Sequence, residues 1–235
     1  MAVPEAVAGL AAMPGVRTAA RLGEPSPPGS ASPGFLPVTP TLATLLPGRL
    51  RRGSAVSIRG STALALALLA EATREGSWAA LAGMPDVGVV AAAELGVDLD
   101  RLALVPEPGA EVAAVLSALI DGFDLVVLGA AVARGIPQPL ARRLAGRVRN
   151  RGAVLLVTGP WPGAELELRV SKRRWRGLTE DGFGHLEVRD VVATSRGRGS
   201  AARPLDVALR LPGPGGAATA SVVGQPSGPA GRCSV

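Results

Sequence analysis

Short, continuously apolar runs recur between residues 54 and 158, each separated from the next by a stretch of helical character. FDLVVL at residues 123–128 is the clearest of them, and AVLLVT at 153–158 repeats its pattern. A strand with one wet face alternates apolar and polar residues, so a run that is apolar throughout needs cover on both faces. Further runs stand at 54–59 (SAVSIR), 78–82 and 102–105. Between them, TALALALLAEATRE at 62–75 is a strong helix former. Residues 87–95 read as a helix stopped by Gly96, 110–120 place Val112, Val115, Leu116 and Leu119 on one stripe, and 139–150 form a further helix. Strand and helix in alternation predict an α/β fold with a mostly parallel central sheet flanked by helices.

Beyond residue 164 the period changes. Leu166, Leu168 and Val170 alternate with Glu165, Glu167, Arg169 and Ser171, and residues 186–192 and 205–211 do nearly the same. That is the mark of strands with one wet face. An antiparallel β extension is expected to follow the parallel sheet, with turns at 180–184 and 196–200. The ends differ again. Residues 24–40 (EPSPPGSASPGFLPVTP) read as a linker. Residues 1–23 form an N-terminal helical segment, and 213–235 lack the bulk for a core and read as a disordered tail. The folded unit is therefore placed at 41–212.

Composition narrows the functional classes. Hydrophobic residues make up 47% of the 235, enough for a sizeable core, yet no apolar run reaches the roughly 18 residues that span a bilayer. The apolar start has no basic lead and is broken by Glu5, which reads against a secretory signal. A cytoplasmic protein with no membrane contact is expected. A lone cysteine, Cys233, excludes an internal disulfide framework. The net charge of +6 is carried almost wholly by arginine, with Lys172 the single lysine. A GC-rich genome gives such arginine richness; an acidic partner or a phosphate backbone would also suit it.

Several blocks resemble the RecA superfamily, in that family's order. GSAVSIRGSTALALALLAEA (53–72) is similar to its first strand, phosphate loop and following helix. ELGVDLDRLALVPEPGAEVAAVLSALIDGFDLVVLG (94–129) is similar to the stretch from the second helix to the Walker B strand. ARRLAGRVRNRGAVLLVTG (141–159) is similar to the next helix and strand, and ELELRVSKRRW with ARPLDVALRL to the closing strands. Within the superfamily the chain resembles ImuA, in particular the actinobacterial ImuA-prime mutasome accessory proteins. The resemblance implies a RecA-like core and a part in damage-induced mutagenesis and translesion synthesis. It implies an ImuB-type Y-family polymerase subunit as partner, beside an error-prone C-family polymerase, with RecA itself a further candidate.

The chemistry of that superfamily is missing at each position that matters. A phosphate loop needs G-x-x-x-x-G-K-[ST], whose amides wrap the phosphates and whose lysine meets them. Here Gly60 is followed by Ser61, Thr62 and Ala63: the loop is shortened and has no lysine. Thr62 reads as a helix N-cap. The Walker B acid falls on Gly129, Asp124 being too early in the strand, and the water-activating glutamate falls on Met84. No catalytic residue, cofactor or metal ion is expected.

Two basic clusters remain. The helix at 139–151 carries Arg142, Arg143, Arg147, Arg149 and Arg151 opposite Leu140, Leu144 and Val148. Charge of one sign points away from local ion pairing, leaving a solvated face or a contact with DNA or an acidic partner. The run Lys172, Arg173, Arg174, Trp175, Arg176 sets cations around an aromatic, which suits a protein interface or a nucleic-acid contact. The loops at 130–137 and 159–163, where RecA proteins carry their DNA-binding loops, are short, which favours a protein partner. His185, the lone histidine, reads as a surface residue. The expectation is a non-catalytic accessory protein. The alternatives are a nucleic-acid-binding protein and a SulA-like cell-division inhibitor. Self-association through residues 1–22 would make it a homo-oligomer.

Overall fold

The computed structural model describes residues 34–47, 49–178, 183–197 and 202–221. The N-terminal helical segment, most of the linker and the tail beyond Ser221 lie outside them.

β1 (Phe35–Leu36) pairs antiparallel with β2 (Leu50–Arg51), and α1 (Pro40–Ala43) lies between them in the chain. The linker reading is corrected here: Leu36, Leu42, Leu45, Leu46 and Leu50 are buried in the main core, and Pro40 opens α1 at a position where its missing N–H costs nothing.

A nine-stranded sheet organises the rest, in the order β11-β10-β9-β8-β3-β7-β6-β4-β5. Its parallel strands are β3 (Ala55–Arg59), β4 (Ala79–Ala82), β5 (Leu102–Val105), β6 (Leu125–Leu128), β7 (Val154–Val157) and β8 (Leu166–Leu178). The helices between them are α2 (Thr62–Arg74), α3 (Val89–Glu94), α4 (Val112–Gly122), α5 (Ala130–Arg134) and α6 (Gln138–Arg151). The alternation read from the sequence is thus real, and its boundaries shift by a residue or two. α6 ends at Gly152, whose φ of 69° provides the left-handed stop that glycine adopts most cheaply.

Both sheet faces are covered. On one, Leu64, Leu68 and Leu69 of α2 bury against Val56, Ile58, Leu81, Leu125, Val127 and Leu156. On the other, Leu116 and Ile120 of α4 with Leu144 and Val148 of α6 bury against Val126, Leu128, Leu155 and Val157. Each such side chain removed from water contributes about 1.5–3 kcal/mol.

β9 (Gly184–Gly197), β10 (Leu205–Arg210) and β11 (Thr219–Ala220) complete the sheet antiparallel to their neighbours. The predicted extension is therefore corrected in one respect. It is continuous with the main sheet, because its first strand, β8, runs parallel to β3. Gly184, Arg196 and Gly197 belong to β9 rather than to turns, and the remaining turn positions lie outside the described residues apart from Phe183. The tail reading is also corrected at its start: β11 pairs with Leu209 and Arg210, so the fold runs on to Ser221.

Candidate functional site

In open parallel sheets ligands bind outside the carboxyl ends of the strands, where the strand order reverses. β3 ends there at Arg59, followed by Gly60 with φ of 83°; a Cβ on Gly60 would stand 2.6 Å from the Val170 carbonyl oxygen of β8. Ser61 caps α2, its side chain accepting from the Leu64 N–H at 3.2 Å. The cap is thus Ser61 and not Thr62: Ser61 holds the extended backbone a cap requires (φ −158°, ψ 112°), while Thr62 is the first helical residue and is exposed.

A cation from β9 reaches this cap. Arg189 donates from Nη2 to Ser61 Oγ at 3.3 Å and from Nε to the Leu211 carbonyl at 2.7 Å, and lies 5.3 Å from the centre of the Trp175 ring. Burial, and then the charge of Arg173, hold its pKa below the ordinary arginine value. The short loop is therefore bonded within the protein.

The end of β6 is closed more tightly. Gly129 begins α5, and a Cβ there would lie 1.9 Å from the Gly83 carbonyl oxygen. A Cβ on Gly83, itself at φ of 69°, would lie 2.3 Å from Cγ2 of Val132. Met84 is half-buried against the core. A side chain at residue 129, such as a metal-orienting carboxylate, would therefore meet the backbone of Gly83 and the side chain of Met84. Asp124 is at the opposite end of the sheet, accepting from Arg52 at 2.8 Å and from the Trp78 N–H at 3.0 Å. Among the described residues no group of three His, Cys, Asp or Glu could hold a metal ion, and no helix is long and apolar enough to cross a membrane.

The arginine helix divides in two. Arg147 and Arg151 both bind Asp121 of α4, Arg151 at 3.0 Å. The expectation that one-signed charge precludes local pairing is corrected: the counter-charge comes from the neighbouring helix. The Arg147 bond leads the causes that hold the Asp121 carboxyl below its usual range. Arg142 and Arg143 are exposed and make no ion pair among the described residues.

The run from Lys172 to Arg176 lies on β8, where a register shift between Ser171 and Arg174 and a φ of 45° at Lys172 mark a bulge. Lys172, Arg173 and Arg174 are exposed and unpaired among the described residues. Arg176 is committed, since it bonds Asp190, which also accepts from Arg210 and Ser221 at 3.3 and 3.2 Å. Trp175 stands opposite Arg189 with 43% of its surface exposed. Further out, Leu178, Phe183 and Leu186 are 55%, 76% and 51% exposed. His185 is on the surface, 3.3 Å from Glu187.

The β8–β9 hairpin therefore carries an exposed cationic and aromatic surface with an apolar end. Sequence reading found the cations and Trp175. It missed Arg189 and the apolar end, which only the cross-strand register brings beside them.

Residues 44–163 match the family described as the MT3502 N-terminal domain, a span that holds the parallel strands from β3 to β7. The chain is also 37% identical over 159 residues to the uncharacterized protein Rv3395c of Mycobacterium tuberculosis, covering 65% of this chain and 78% of that relative. By both similarities the chain belongs to the MT3502 N-terminal domain family.

Proposed function

We propose that this chain is a non-catalytic RecA-like accessory protein that docks a translesion polymerase subunit of the ImuB type through its β8–β9 hairpin. The observation that carries the reading is the carboxyl end of β6, where residue 129 cannot hold a side chain. Gly129 has no room for a side chain, and the short loop at Gly60–Ser61 is bonded to Arg189. Phosphoryl transfer needs a phosphate clamp, a metal ligand and a base, and this sheet supplies none of them at the positions the resemblance assigns. The blocks that carry the resemblance fall on β3 and α2, on the stretch from α3 to β6, on α6 and β7, and on β8 and β10, which supports the RecA-like reading of the sheet.

The hairpin supports a docking role for a separate reason. Exposed Trp and Phe beside uncommitted arginines are among the residues enriched at protein interfaces, and the exposed leucines add apolar area to bury. Co-purification with an ImuB-type polymerase subunit tests it: a stable complex that Trp175→Ala and Leu178→Ser disrupt is expected. Failure of the purified wild-type proteins to associate overturns the reading.

The uncommitted cations Lys172, Arg173 and Arg174 favour a second reading, in which the hairpin contacts single-stranded nucleic acid and Trp175 stacks on a base. Its signature is an affinity that falls steeply with salt. Salt-independent or undetectable binding to a labelled oligonucleotide excludes it.

A further inference from the structure

A cleft of about 410 Å³ opens at the carboxyl ends of β4, β5 and β6. The topology places it there. The chain leaves β4 toward the sheet face that α2 and α3 cover, and leaves β5 and β6 toward the face that α4 and α6 cover. Neighbouring strands that part in this way leave a crevice between their loops. Its volume lies in the range of ligand pockets, roughly 300–1,000 Å³.

The walls are apolar. Pro85 follows β4, Pro106, Pro108 and Val112 follow β5, and Val132 and Ile136 follow β6. Glu107 is the one charged residue among those described in the lining; it is exposed, and no cation pairs with it among the described residues. Arg134, between Val132 and Ile136 in sequence, lines a different groove.

The charge around the cleft has one sign as well. Among the described residues, every carboxylate without an ion pair or side-chain hydrogen bond lies in one stretch: Glu75, Asp86, Glu94, Asp100, Glu107 and Glu111. The cation of that stretch, Arg101, is held by the Gly76 carbonyl at 2.8 Å and by Asp98 at 3.8 Å. The loops after β4 and β5 that wall the cleft belong to it. The opposite surplus stands on the β8–β9 hairpin, where Lys172, Arg173 and Arg174 are uncommitted beside exposed Trp175, Leu178 and Leu186. Past Arg169 on β8 and Arg189 on β9 no third strand accompanies the hairpin among the described residues. A two-stranded ribbon without further cover is marginal in water and gains from a surface to pack on.

We propose that the cleft of one copy receives the β8–β9 hairpin of a second copy. An apolar, anionic cavity and an apolar, cationic ribbon are complementary, and both are uncommitted on the same chain. Leu178 and Leu186 pack on the prolines and Val132, while the hairpin cations pair with Glu107 and Glu111. A phosphate would meet Glu107 with no cation in the lining, so the cleft does not suit one. The two surfaces differ, so the contact is heterologous, and each copy added leaves one hairpin and one cleft open. The proposal rests on the reading of the hairpin as a docking surface and adds its regulation. A copy seated on the hairpin covers the residues that the polymerase subunit must reach, so the two bindings compete.

The test is sedimentation equilibrium of the full-length protein from micromolar to near-millimolar concentration. The wild type is expected to gain mass with concentration and to pass beyond a dimer. Two variants reverse the charge on one side each: Glu107→Lys with Glu111→Lys in the cleft, and Lys172→Glu with Arg173→Glu on the hairpin. All four positions are exposed, and an unchanged thermal midpoint checks that the fold is kept. Each variant alone should self-associate at least about tenfold more weakly, the worth of one charge-assisted pair. Their equimolar mixture should associate again, because the acidic hairpin of one meets the basic cleft of the other. A merely structural role for these residues cannot produce that rescue. A monomeric wild type, variants that associate as the wild type does, or a mixture no stronger than its parts each overturns the proposal. The cleft variant keeps its hairpin and should still co-purify with the polymerase subunit. Loss of wild-type co-purification alone defeats the docking reading, and failure of self-association alone defeats this one.

Discussion

Gly129 and Ser61 carry the account at the scale of single residues. A Cβ on Gly129 would collide with the backbone of Gly83, which cannot swing aside as a long side chain can. Gly129→Asp, which places a carboxylate where the RecA resemblance expects one, is therefore expected to destabilise the fold by about 1–3 kcal/mol, the scale of overpacking in a closed core. It gains no affinity for a nucleotide in return. Urea midpoints compared at constant m-value measure the first, and an unshifted or raised midpoint would show that the crevice has room. Ser61→Ala should cost about 1 kcal/mol through loss of the α2 cap, while Thr62→Ala should be near neutral because Thr62 is exposed and caps nothing. The sequence identified this loop as degenerate but placed the cap one residue late. Cap identity depends on which residue holds extended backbone, and both hydroxyls satisfy the composition rule.

Among elements, the pairing of α4 with α6 and the β8–β9 hairpin make contrasting demands. Asp121 binds two arginines of α6, and its carboxyl lies below the usual range chiefly through the Arg147 bond, against the opposing effect of burial. A carboxylate depressed in the folded state contributes stability that is complete above its unfolded value of about 3.9. That contribution is lost as pH falls through the lower folded value. Asp121→Asn should therefore flatten the acid side of the stability profile and leave its slope near neutrality unchanged. An unaltered acid limb would show the pair to be idle. Shaving the hairpin should do the reverse. Trp175→Ala with Leu178→Ser should leave thermal stability within the few tenths of a kcal/mol typical of surface changes and weaken partner binding more than tenfold.

These elements also show what the sequence could and could not reveal. Continuously apolar β6 and β7 announced themselves, since both faces are covered and nothing polar interrupts them. The alternation of β8 is legible only to Lys172, because from there to Arg176 both of its faces are exposed; beyond it the resemblance of ELELRVSKRRW to the closing strands carries the reading. The Asp121 partner of the arginine helix was invisible for a related reason: it comes from another helix, and one-signed charge along a single element says nothing of its neighbour.

For the whole molecule, one sheet holds three surfaces with different fates. At the carboxyl end of β6, Gly83, Gly129 and Val132 pack too closely to admit a side chain at residue 129. The β8–β9 hairpin is open, cationic and apolar at its end. A groove over β3, β8 and β9 is open, with two arginines and two glutamates in its lining. Composition and pattern sufficed for the α/β class and for the absence of the phosphate-binding lysine. They could not show that residue 129 has no room for a side chain, because that depends on which glycines approach which backbone across a sheet. The central proposal, that this sheet binds no nucleotide, is tested most directly by isothermal titration of the wild-type protein with ATP and magnesium. The account predicts no saturable heat up to millimolar nucleotide; a micromolar dissociation constant would contradict it.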